Sequence, residues 1–285
     1  MADRRLMPTN GRVAHVSLMG ELAAEQFTDG TERCVARDMV WLWSAPDGNR
    51  ERTLLFGERF CVLEVRQEFA FGFVPYNGYV GYLRAQALDD LPAPTHVVSA
   101  RLTSSLDQPD FKRFTDLAEL SLGAQLHVDD VGGRFARYAT PSGARYVPAL
   151  HLRPVGLPET DPVAVAERLL GTPYVWGGNS ARGIDCSGLV QAGLRACGQT
   201  CPGDSDLQER ALGVTMSPGT PYQRGDLLFW KGHVAWVADP VTLLHANAHS
   251  MSVAFEPLQS AIDRIAKSDG PVIRHARIEP QGSPP

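Results

Sequence analysis

The stretch GIDCSGLVQ places Cys186 directly after an acid and at the front of a run with helical periodicity. A thiol in the first turn of a helix meets unpaired backbone N–H groups and the positive end of the helix dipole, which favour the thiolate. Asp185 opposes this, because a neighbouring carboxylate disfavours a second negative charge. A cysteine nucleophile needs a base, and two histidines are placed to serve: His233 opens HVAWVAD, and His245 lies further on in TLLHANA. If Asp239, Pro240 and Val241 form a three-residue hairpin loop, Ala235 faces His245 and His233 sits on the same face one diagonal step away, about 7–8 Å along the sheet. An even loop length would put the two rings on opposite faces. The set then reads as Cys186 the nucleophile, His233 the general base and His245 the group that orients it. The plainer readings are a cysteine buried as a small hydrophobe and strand histidines satisfied structurally.

These residues need rigid elements to hold them. DPVAVAERLLG predicts a helix over 161–171, with Asp161 as cap, Pro162 at the first helical position and Gly171 as stop. CSGLVQAGLRACG predicts a second helix over 186–198, with Leu189, Val190, Leu194 and Cys197 on its apolar face. RGDLLFW, HVAWVAD and TLLHANA follow as consecutive strands, so the region from 156 reads as an α+β domain. Before it, short apolar and aromatic runs are broken by Gly, Pro, Asn and Asp. They predict two small all-β modules, 1–95 and 96–155, with LPAPT at 91–95 as the joint between them.

Composition sets the frame. A chain of 285 residues with 44% hydrophobic and 21% charged residues can bury a real core. A net charge of -5 points away from nucleic acid. The first residues hold no apolar run of signal-peptide length, and no later run reaches membrane-span length, so the expected place is the cytoplasm with no membrane contact. Five cysteines, at 34, 61, 186, 197 and 201, suit reduced thiols. Cys34 and Cys61 read as core, and Cys197 and Cys201 lack the partner pair that zinc would need.

PYVWGGNSARGIDCSGLVQ, CPGDSDLQ, RGDLLFWKGHVAWV and LLHANAHSM together resemble, in order and spacing, the NlpC family of papain-like cell-wall cysteine peptidases. The preceding β modules resemble the bacterial SH3-like domains of the γ-D-glutamyl-L-diamino acid endopeptidases. The resemblance implies a papain-like peptidase domain over 156–285 after two SH3-like barrels. It maps Cys186, His233 and His245 onto the family's nucleophile, base and third polar residue. It also implies a closed pocket for a free N-terminal L-alanine, to which Asp185, Ser187, Tyr79 of NGYVGY, Glu58 of LLFGERF, Asp204 and Ser205 would contribute. Gly203 and Asn77 depart from the family's pattern, which often has a basic residue and an aspartate there. Asp185 reads equally as an ordinary helix cap.

The implied activity is hydrolysis of the bond between D-glutamate and diaminopimelate or lysine in small murein peptides, in cell-wall recycling. No metal, organic cofactor or obligate protein partner is expected. Two alternatives stay open: an amidase cutting muramic acid from L-alanine, or another acyl-transfer enzyme on the same scaffold, and a non-catalytic peptidoglycan-binding protein.

Overall fold

The computed structural model describes residues 3–279 and divides the chain into two compact units, one ending at Leu157 and the other starting at Pro158. The first unit is all β. Strands between Thr31 and Asp89 form a seven-stranded sheet, strands between Leu102 and Pro148 a five-stranded one, and a three-stranded sheet joins 96–98, 125–126 and 152–154. The 91–95 stretch lies inside this unit. Leu55 and Phe56 share an apolar cluster with Val98, Leu120, Leu126 and Tyr138. Gly57, at φ +77, approaches so closely that a Cβ there would lie 2.0 Å from the Gln125 carbonyl oxygen. That position can only be glycine.

The second unit sets helices on a mixed-length antiparallel sheet. Its elements are α1 (Pro162–Glu167), α2 (Cys186–Ala196), α3 (Ser205–Ala211), β1 (Val214–Thr215), β2 (Asp226–Trp230), β3 (His233–Asp239), β4 (Thr242–Asn247), β5 (Ser252–Pro257), α4 (Leu258–Ser268) and β6 (Arg274–Arg277). The strand order is β1-β6-β2-β3-β4-β5. Asp161 caps α1 by accepting from the N–H groups of Val163 and Ala164. The helix is shorter than the sequence predicts: after Glu167 the backbone tightens to three-residue bonds (Arg168 N–H to Val165, Leu169 N–H to Ala166). Gly171 then pairs with Val253 of the sheet. Tight turns run on to Leu170, and Gly171, at φ +75, leads the chain into its bond with Val253.

α2 ends as expected. Gly198 takes φ +74, its N–H donates to Arg195 and that of Gln199 to Leu194, the pattern that closes a helix on a left-handed glycine. Leu189, Val190 and Leu194 are buried, and Cys197 only partly so. Gly188 and Gly193 allow close backbone approach, since a Cβ would lie 2.4 Å from the Gly178 carbonyl oxygen and 2.5 Å from that of Pro162, respectively. α2 is thus fixed against α1 and the short hairpin of Asn179–Ser180 with Gly183–Ile184, and packs on β3 and β4. Among the described residues no helix is long and apolar enough to cross a membrane.

Candidate active site

Cys186 begins α2, and its geometry starts with Asp185. The Asp185 Oδ1 accepts from the Gly188 N–H at 2.6 Å and from the Ser187 hydroxyl at 2.8 Å, while Oδ2 accepts from the Gly177 N–H at 2.9 Å. Asp185 is therefore the cap of α2 and the tie between that helix and the 175–178 turn. Cys186 is buried, and the backbone amides of Val234, Ser187 and Cys186 itself favour its ionised form. Val234 follows His233 directly, so the thiol lies against the start of β3.

The strand register explains the histidines. Trp236 pairs with Leu244 and Val237 with Leu243, while Asp239 pairs with Thr242. The loop is therefore two residues, Pro240 and Val241, instead of the expected three. An irregularity between Val237 and Asp239 supplies the missing residue, so a β-bulge restores the odd offset. Carried one step beyond Trp236–Leu244, the register sets Ala235 opposite His245 and His233 on the diagonal. The His233 Nε2 lies 2.9 Å from His245 Nδ1, with ring centroids 5.2 Å apart. The indole of Trp230, across the Lys231–Gly232 turn, packs on His233 at 5.7 Å.

Sequence reasoning missed the next link. His245, wholly buried, places its Nε2 3.1 Å from the Glu256 carboxylate of β5. Glu256 is in turn gripped by Arg264 of α4 through Nε at 2.9 Å and Nη2 at 2.6 Å. Both nitrogens of the buried ring are thereby satisfied, as a polar group without water requires. Tyr174 was also passed over. It is half-buried, and its phenol is pushed up first by burial and further by the Asp185 carboxylate, so it stays protonated.

The remaining predicted residues fall in two places. Ser187 sits in the first turn of α2, and Asp204 and Ser205 open α3, whose buried Gln208 donates to the Ser187 carbonyl at 2.9 Å and the Pro202 carbonyl at 3.0 Å. Tyr79 and Glu58 belong to the first unit, both buried there. Tyr79 packs with Leu42, Phe60 and Leu83, under the Arg52 guanidinium at 5.6 Å. Asn77 keeps the acceptor an aspartate would supply, taking the Tyr79 N–H at 3.1 Å. Cys34, Cys61 and Cys201 are buried free thiols, and Cys201 receives the Gln208 amide at 3.4 Å. Among the described residues no cluster of His, Cys, Asp or Glu is arranged to hold a metal.

Electrostatics corrects one expectation. The sequence sets the helix terminus, which favours a thiolate, against Asp185, which opposes it. Burial dominates instead: it pushes the Cys186 thiol up to about 12, with Asp185 adding to it, against the three N–H groups. Burial also pushes His233 down to about 3, assisted by His245, and His245 down to about 4 in spite of Glu256. The resting pair is a neutral thiol and a neutral imidazole, so proton transfer must accompany attack.

A pH dependence follows. His233 accepts a proton only when neutral, and its pKa is lowered, so the acid limb of kcat/KM is expected below pH 6.5. A limb centred at 6.5 or above would contradict this assignment. The sign for stability is the same: with folded-state values below those of the unfolded chain, stability is present above pH about 6.5. It is lost as pH falls toward the folded-state values, because the unfolded chain binds protons first. A pH series of thermal melts checks it.

A cysteine at the start of a helix that packs on the strands of a histidine pair in an antiparallel sheet is the arrangement of a papain-like domain. Comparison places it: residues 171–264 match the NlpC/P60 family, and residues 42–88 match the bacterial dipeptidyl-peptidase SH3 domain. The chain carries an NlpC/P60 cysteine peptidase domain after an SH3-like region. It is similar to a gamma-D-glutamyl-L-lysine dipeptidyl-peptidase of Bacillus cereus, 34% identical over 35% of this chain and 32% of that one. It is similar also to the protein of that name from Bacillus subtilis, 27% identical over 73% of this chain and 76% of that one. The first alignment thus spans about a third of the relative's length. The crystal structure of an NlpC/P60 family protein from Bacillus cereus superposes with a TM-score of 0.74 over 87% of this chain and 99% of that one. At 20% identity, it establishes the shared fold.

Proposed function

We propose that this chain hydrolyses the γ-D-glutamyl-L-diamino acid bond of small murein peptides bearing a free N-terminal L-alanine. The observation that carries this is the hydrogen-bonded His233–His245 pair on the strands against which α2 packs with Cys186 in its first turn. The two Bacillus relatives, named for a γ-D-glutamyl-L-lysine bond, support the choice of bond.

The chemistry is acyl transfer. As the Cys186 sulfur bonds to the γ-glutamyl carbonyl carbon, His233 takes the thiol proton on Nδ1, the nitrogen not engaged by His245. The oxyanion forms beside the N–H groups around the sulfur, preorganised donors of the kind that stabilise tetrahedral intermediates. The C–N bond then breaks, His233 returns the proton to the departing amine, and an L-Ala-γ-D-Glu thioester remains on Cys186. Water, deprotonated by His233, hydrolyses the thioester and frees the thiol.

Asp185 gives the amine gate its charge in this reading, since a desolvated ammonium requires a charged partner. Its three hydrogen bonds leave acceptor capacity on Oδ2, which receives a single N–H. The parts assigned to Tyr79 and Glu58 rest on family resemblance. A demand for a free amine suits peptides already stripped from sugar, and a cytoplasmic recycling role belongs to the same proposal. Comparison of L-Ala-γ-D-Glu-meso-diaminopimelate with its N-acetylated form tests it. The free peptide is expected to be cut at least about 100-fold faster, the scale of a desolvated charge pair worth some 3 kcal/mol. Equal rates would remove the gate, and cleavage of a muramoyl-L-alanine bond instead would favour the amidase.

A further inference from the structure

We infer that Glu256, clamped by Arg264, is a positioning residue that fixes the tautomers of both imidazoles and so makes His233 Nδ1 the nitrogen that receives the Cys186 proton. The inference rests on the proposed function only in taking Cys186 as the nucleophile. Glu256 lies on the same face of the sheet as His245: β5 pairs Leu243 with Glu256 and His245 with Ala254, which puts Glu256 on the diagonal from the ring. Arg264 holds both carboxylate oxygens, and the carboxyl is pulled below its usual range first by that hydrogen bond. An ionised carboxylate only accepts.

The proton positions then follow in order. The 3.1 Å contact needs its hydrogen on His245 Nε2, so the neutral ring leaves Nδ1 bare. The 2.9 Å contact between the rings then needs its hydrogen on His233 Nε2. His233 Nδ1 is left with a lone pair. A doubly protonated His245 would reverse the relay by donating to His233 Nε2, and burial opposes that form. The charged and titratable groups that act on the two rings, besides each other, are Glu256, Arg264 and His249. α4 is anchored by Leu258, Ala261 and Ile265, which pack with Trp230, Ala235 and Val237, so Arg264 is presented from a rigid element.

Glu256→Met tests the relay by geometry. Glu256 Oε2 is the oxygen that meets both His245 Nε2 and Arg264 Nη2, and methionine removes it. The proton of His245 is then no longer held on Nε2, nor is that of His233. In the full chain, long-range ¹H–¹⁵N spectra of the histidines are expected to show Nε2–H on both rings in the wild type and a mixture of Nε2–H and Nδ1–H in E256M. Alkylation of Cys186 by iodoacetamide and kcat should each fall by about 10-fold or more, with KM within about twofold, the scale of losing an orienting partner. E256Q, whose amide oxygen can stand at the Oε2 position and accept from both partners, should keep Nε2–H and most of the rate. A merely structural ion pair would move the melting temperature and leave the tautomers alone. Nδ1–H on His233 in the wild type, which needs no variant to fold, overturns the relay. So do unchanged tautomers and rates within twofold in E256M. A chain that cuts no murein peptide removes the proposed function, while the spectra and the alkylation rate still decide the relay.

Discussion

Cys186→Ala is expected to abolish hydrolysis of L-Ala-γ-D-Glu-diamino acid peptides, with kcat lower by about 10⁴-fold or more, roughly 5 kcal/mol of barrier or greater. Alanine removes the atom that forms the thioester, and no other described cysteine can replace it: Cys34 and Cys61 are buried in the first unit, Cys201 is buried against Gln208, and Cys197 stands at the opposite end of α2. The fold should tolerate the change, because the cap on α2 comes from Asp185 and not from the thiol. Thermal melting within a few degrees of the wild type, together with loss of turnover, is the expected pair of results. Retained turnover would exclude Cys186 as nucleophile.

His233→Ala is expected to cost about 10³-fold or more at neutral pH, nearly as much as losing the nucleophile. The reason is the resting protonation state. A thiol pushed up to about 12 by burial cannot ionise unaided near pH 7, whatever the N–H groups around it contribute. The base therefore carries the whole proton transfer. The variant should also change the shape of the pH profile: activity should rise steadily with pH up to about 9 as hydroxide replaces the imidazole, where the wild type is flat. Combining the two substitutions should be no worse than Cys186→Ala alone, since residues acting as one unit are not additive. A flat profile in His233→Ala would point to a preformed thiolate.

Much of this was legible in the residues, for identifiable reasons. Cys186 at a helix start follows from Asp185 and the apolar spacing of Leu189, Val190 and Leu194. The shared face of His233 and His245 follows from strand periodicity once the turn is placed. The reasoning reached the right face through the wrong loop, because a bulge near Ala238 does the work of a third loop residue, and no residue type there announces it. Glu256 and Arg264 were out of reach for a different reason. Leu258, Ala261 and Ile265 have helical spacing, yet spacing alone cannot tell that α4 turns Arg264 toward the last residues of β5. The protonation state was illegible because it depends on depth: helix dipole and neighbours can be read along the chain, whereas the burial that outweighs them is a property of the packed domain.

The most direct test of the central claim is identification of the products formed from L-Ala-γ-D-Glu-meso-diaminopimelyl-D-Ala by mass spectrometry, with Cys186→Ala as the blank. The account predicts L-Ala-D-Glu and diaminopimelyl-D-Ala from the wild type alone. An intact peptide, cleavage at any other bond, or the same products from the alanine variant would contradict it.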